Sequence, residues 1–127
     1  MSKDNSSTTR ILIADDEVEF SSTLATRLEI RGYVTEIVNS GEETLEAVSR
    51  QTPDLLLLDL KMPDLDGLEV LTKIRENHKE LKVIILTGHG SFSYGNQGMA
   101  LGAIDYIMKP VELSLLLEKI EEATAAK

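Results

Sequence analysis

The sequence predicts an α/β fold: a doubly wound, five-stranded parallel sheet of order 2-1-3-4-5 with helices on both faces. Three observations predict it. Apolar runs of strand length alternate with helical patterns five times over, the pattern of βα units joined by right-handed crossovers. The first, third and fourth runs are continuously apolar, as strands buried on both faces must be. The second and fifth alternate, as edge strands do, and 2-1-3-4-5, one of the two common doubly wound orders, places them at the edges.

Residues 1–9 are polar and Ser/Thr-rich, which predicts a mobile tail. The run "RILIA" (10–14) is the first strand. Phe20, Leu24 and Leu28 recur every four residues between Glu17 and Arg31, a helical stripe that Gly32 ends in a C-terminal cap position. "YVTEIV" (33–38) is the second strand. Ser40 and Glu43 form a capping box that opens a helix carrying Leu45 and Val48. "LLLL" (55–58) is the third strand, and Gly67 begins a helix with Leu68, Leu71 and Ile74 on one face. "KVIIL" (82–86) is the fourth strand, and residues 91–101 are a weaker helix. "AIDYIM" (103–108) is the fifth strand, and Leu113, Leu116, Leu117 and Ile120 give a last helix its apolar stripe. One domain, 10–124, is expected, with 125–127 as its C-terminal end; no repeat or linker interrupts it.

Composition excludes several function classes. Cysteine is absent, so thiolate chemistry, thiolate metal sites and disulfides are excluded and a reducing cytoplasm is expected. No apolar run approaches the ~20 residues that cross a bilayer, and the first ten residues lack the apolar segment of a signal peptide. A net charge of −9 argues against direct nucleic-acid binding, which needs clustered Lys and Arg.

Polar residues mark the ends of the strands. In open parallel sheets, ligands bind beyond the carboxyl ends of the strands, where strand order reverses. The first strand ends in Asp15, Asp16 and Glu17, the third in Asp59, the fourth in Thr87 and the fifth in Lys109. Any one of these is ordinary: Asp16 with Glu19 can cap a helix, Thr87-Gly88 can be a turn, and Lys109 can be a solvated loop residue. Four strand ends carrying such residues together are not ordinary. Asp59 is expected at the rim rather than against hydrocarbon. Three neighbouring carboxylates repel unless a cation neutralises them, and an all-oxygen donor set favours Mg2+. A hydroxyl and a fixed positive charge suit a phosphoryl group, and a carboxylate beside Mg2+ is a competent phosphoryl acceptor.

With these residues in place, the chain resembles the receiver domain of two-component response regulators over residues 10–124, through "ILIADDE", "PDLLLLDLKMPDLDG", "VIILTG" and "GAIDYIMKP". The resemblance implies a flavodoxin-like fold and a phosphorylation-dependent switch rather than a turnover enzyme. It implies that Asp59 is the phosphoacceptor, that Asp15, Asp16, Asp59 and the Lys61 backbone carbonyl hold Mg2+, and that Asp16 is a direct ligand. It makes Thr87 the switch hydroxyl, Tyr106 the switch aromatic, Lys109 the phosphoryl partner and Lys109–Pro110 a cis bond. Lys61 and His89 occupy positions that tune phosphoryl lifetime in the family; solvation is the alternative reading for both. Implied partners are a sensor histidine kinase or phosphotransfer protein and an output, reached through the face of the fourth helix, fifth strand and fifth helix. A phosphorylation-linked homodimer is implied too. Single-domain, chemotaxis-regulator-like action and excision from a longer regulator with a DNA-binding or ATPase output both remain open.

The stretch "GHGSFSYGNQGMALGA" departs from the family, because Gly95 and Gly98 fall in the fourth helix, where each costs about 1 kcal/mol against Ala. Either Phe92 and Met99 pack a short helix on the sheet, or the helix is loose and orders when the switch is thrown. Other classes fit less well. A haloacid-dehalogenase-like phosphatase needs D-x-D after the first strand, and an FMN binder needs a Ser/Thr/Gly-rich phosphate loop where "ADDEVEF" stands. An interaction module without phosphorylation leaves the site residues unexplained.

Overall fold

In a computed structural model the described residues are 9–88 and 92–125. They form β1 (Arg10–Ala14), α1 (Val18–Ile30), β2 (Val34–Val38), α2 (Gly41–Arg50), β3 (Leu55–Asp59), α3 (Gly67–Asn77), β4 (Lys82–Thr87), α4 (Phe92–Ala100), β5 (Asp105–Met108) and α5 (Leu113–Ala125). The sheet runs β2-β1-β3-β4-β5 and every pairing is parallel, as the alternation of elements predicts. The leucines of β3 are fully buried because each face carries its own apolar layer. Leu56 and Leu58 join Val70, Leu71, Ile74 and Val48 on one side. Leu55 and Leu57 join Leu24, Leu28, Leu116 and Ile120 on the other.

Local signals account for several helix ends. Gly32 adopts φ 96°, and Tyr33 N–H donates to Leu28 O, which closes α1. Ser40 Oγ accepts from Glu43 N at 3.1 Å, while Glu43 Oε1 accepts from Asn39 N at 2.9 Å, one residue before the N-cap. Asp66 caps α3 through Leu68 N. The Asp16–Glu19 cap, the ordinary alternative for Asp16, is not formed: the N-cap is Glu17, with no side-chain bond, and Asp15 Oδ1 accepts Glu17 N at 2.8 Å.

The fourth helix forms over Phe92–Ala100, but Met99 does not pack it on the sheet as one reading expected. Met99 is 39% exposed, whereas Gly95 and Gly98 are buried and face inward. A Cβ at Gly95 would overlap the Tyr106 ring and one at Gly98 would overlap Ile85 Cδ1, so both glycines exist to let α4 lie against β4 and β5. The side chain of Phe92, named with Met99 in that reading, lies outside the described residues. The far end of α4 is tied down by Arg75, whose guanidinium donates to the carbonyls of Leu101, Gly102, His78 and Leu81. Gly95→Ala should therefore lower the melting temperature. The propensity gain of about 1 kcal/mol is outweighed by an overpacking cost of about 1–3 kcal/mol. A melting temperature that rises would show that the close approach is not required.

Candidate functional site

The carboxyl edge of the sheet collects the polar strand ends. Asp15 follows β1 and is held by Asp15 N–H donating to Val38 O, while Asn39 Nδ2 donates to Asp15 O at 3.0 Å. Asp59 is the last residue of β3, and its Oδ1 accepts Lys61 N at 3.0 Å. Asp15 is fully buried and Asp59 is 4% exposed, so Asp59 stands at the rim but is more deeply desolvated than a rim position suggests. Asp16 is exposed, and one carboxylate oxygen from each of Asp15, Asp16 and Asp59 lies within 4.8 Å of the others.

Lys109 supplies the positive charge. Its Nζ lies 2.7 Å from Glu17 Oε1, 2.9 Å from Asp15 Oδ2 and 3.4 Å from Asp59 Oδ2, and 5.1 Å above the Phe20 ring. Its backbone is tied to β4, because Lys109 N–H donates to Thr87 O at 2.7 Å. The Lys109–Pro110 bond is cis, as the resemblance implies. Thr87 ends β4 fully buried, and its Oγ1 has no hydrogen-bond partner among the described residues. An orphaned buried hydroxyl costs stability, and this one lies at the same sheet edge as the carboxylates. Tyr106 on β5 is half-buried beneath α4. The Lys61 side chain is exposed, and His89 lies outside the described residues.

Electrostatics follow from burial. Desolvation pushes the Asp59 carboxyl up from its ordinary 3.8 to about 6, a rise that the Lys61 N–H bond opposes, the Asp15 charge adds to and Lys109 opposes. Burial alone would lower the Lys109 ammonium, but hydrogen bonds to Glu17 and Asp15 and the charges of Asp59 and Asp15 outweigh it and hold it above the ordinary lysine range. A buried acid that resists ionisation and a close set of hard oxygen donors fit a divalent cation of the Mg2+ type.

Reasoning from strand ends found Asp15, Asp16, Asp59, Thr87 and Lys109. It named Glu17 only as a strand-end residue, and it missed Phe20 and Asn39. Asn39 follows β2 directly, so the same rule applied to the edge strand would have found it. Nothing local marks Phe20, which reads as a helix-stripe residue.

Fold and site together define a receiver domain, and the chain belongs to the response regulator receiver family: the model described as "Response regulator receiver domain" matches residues 11–121. Among curated relatives, Response regulator MprA of Mycobacterium leprae is 42% identical over 111 residues, covering 87% of this chain and 49% of that protein. MprA of Mycobacterium tuberculosis is 38% identical and the match covers 48% of it. The chain thus spans about half the length of the curated relatives it matches. Among solved structures, the receiver domain of NtrX from Brucella abortus superposes with a TM-score of 0.86 at 32% identity, covering 92% of this chain and 99% of that one. A receiver domain protein described as CheY-like, from Methanospirillum hungatei, gives 0.86 at 37% identity, covering 91% and 92%.

Proposed function

We propose that residues 10–124 act as a phosphorylation-dependent switch in which Asp59 accepts a phosphoryl group from a histidine kinase or phosphotransfer protein. The observation that carries this reading is the buried Asp15–Asp59 pair, with Asp16 beside it and Lys109 Nζ across it. A carboxylate oxygen of Asp59 forms the new P–O bond, the P–N bond of the donor phosphohistidine breaks, and the imidazole leaves with the electron pair. Asp15, Asp16, Asp59 and the Lys61 carbonyl would hold Mg2+, which when bound supplies positive charge that neutralises the carboxylates and the incoming phosphoryl oxygens.

The chain's own groups do the rest. Lys61 N–H orients Asp59 through Oδ1. Lys109 faces the other oxygen at 3.4 Å, ready to pair with a phosphoryl group there. The Thr87 hydroxyl, which has no partner among the described residues, gains one in the phosphorylated protein. Its movement would release Tyr106, and through it the α4–β5–α5 face that we assign to an output protein or domain and to phosphorylation-linked dimerisation. Lys61 and His89 would set the phosphoryl lifetime. A cytoplasmic site of action belongs to the same reading. Relatives of twice the length support a receiver that serves a larger regulator.

Intact mass after incubation with acetyl phosphate and Mg2+ tests the proposal. A phosphoryl adduct is expected that vanishes in Asp59→Asn and without Mg2+. If no adduct forms and beryllofluoride with Mg2+ does not bind either, the reading is wrong.

A further inference from the structure

The segment between β3 and α3 folds back on itself. Lys61 and Asp66 face each other as an isolated antiparallel bridge, and Gly67 N–H donates to Leu60 O at 3.0 Å. At the far end of this loop Asp64 reaches across to a different element. Its Oδ1 accepts Gly41 N at 2.7 Å and its Oδ2 accepts Glu42 N at 3.0 Å, the first two amides of α2. The next residue seals the contact, for a Cβ on Gly41 would stand only 2.7 Å from Leu65 Cβ. Helix α2 already has an N-cap in Ser40. The Asp64 clamp is thus additional to local capping and joins two elements distant in sequence.

From this geometry we infer that Asp64 is a positioning residue for the cation site: by clamping the β3–α3 loop to α2, it fixes the Lys61 carbonyl. The inference rests on the proposed Mg2+ reading. Free first-turn amides and the dipole of α2 favour a carboxylate at this place, and the bonds from Glu42 and Gly41 hold the Asp64 carboxyl below its usual range. A loop tip pinned at one end leaves its other end, three residues away, less freedom. Ordering that precedes binding need not be supplied at binding. Linkage then requires that a cation on the loop tighten the clamp in return.

The test compares Asp64→Ala, Asp64→Asn and Ser40→Ala by Mg2+ titration calorimetry and by denaturation. Ser40→Ala removes an α2 cap without touching the loop, so it should lower stability and leave Mg2+ affinity unchanged. Asp64→Ala should raise the Mg2+ dissociation constant about 10-fold, the low end for residues that orient ligands without touching the metal. Asp64→Asn, which keeps one acceptor oxygen, should fall between. In the wild-type protein the Gly41 and Glu42 amide resonances should shift with the same midpoint as Mg2+ binding. Equal Mg2+ affinity in Asp64→Ala and wild type, or equal losses in Asp64→Ala and Ser40→Ala, would overturn the inference while leaving the cation site standing. A wild-type protein that binds no Mg2+ would overturn both.

Discussion

Asp59→Asn should make the protein more stable when no divalent cation is present. Folding buries the Asp59 carboxyl to 4% exposure and raises it from 3.8 to about 6. At 1.36 kcal/mol per unit, keeping it ionised above pH 6 costs the folded state roughly 3 kcal/mol. The sign follows from proton counting. Below pH 4 the carboxyl is protonated in both folded and unfolded chains, and the penalty is absent. Between pH 4 and 6 the unfolded chain has released its proton and the folded chain holds it, so stability falls as pH rises. Above pH 6 the penalty is complete. Asn is neutral at every pH and can still accept from Lys61 N. The gain in Asp59→Asn should thus grow from pH 4 to 6 and then level off. Millimolar Mg2+ should shrink it, because a cation stabilises the wild-type carboxylate by binding only the folded state. Denaturant unfolding at pH 5 and pH 8, with and without Mg2+, reads all three effects. Equal stability of the two proteins at pH 8 without metal would mean that Asp59 is better solvated than its burial indicates.

The same carboxylate shows why some of this molecule was legible in its sequence and some was not. Strand type is written in the periodicity of side chains, so the four leucines before Asp59 announced a strand covered on both faces, and the sheet order followed from which strands alternate. The site was legible because the fold brings strand ends together wherever they lie in the chain. Thr87 and Lys109 are 22 residues apart in sequence, yet Thr87 pairs with Met108 across β4 and β5, and Lys109, the next residue, donates its N–H to Thr87 O. What stayed hidden depends on distances between elements. Gly95 reads as a defect in a helix until the Tyr106 ring is seen against it. Met99 reads as a packing residue until α4 is found to approach through its glycines. Asp64 reads as one more acid in a loop until its two oxygens are found on the first turn of α2.

Lys109→Met carries the largest stability loss we expect. The lysine side chain is 15% exposed, while those of Asp15 and Asp59 are 0% and 5%. Removing one partner of a buried ion pair leaves its counter-charges uncompensated, at about 3–5 kcal/mol; the residual exposure of Lys109 points to about 3. Met approximates the length and volume of the lysine side chain and isolates the loss of charge. The lysine's raised pKa means that its contribution is fully present below the ordinary lysine value of 10.5 and is lost only as pH rises through the higher folded value, so the loss should not depend on Lys109 titration at neutral pH. Two further results distinguish this account from a simple packing defect. Mg2+ should restore much of the stability of Lys109→Met, since a cation among the same carboxylates replaces the missing charge. The cost of Lys109→Met should also be smaller in an Asp59→Asn background, where one of the three carboxylates facing it is already neutral. Additive effects in that double-mutant cycle, with no recovery on adding Mg2+, would place Lys109 outside the electrostatics of the site and leave it only a packing role over Phe20.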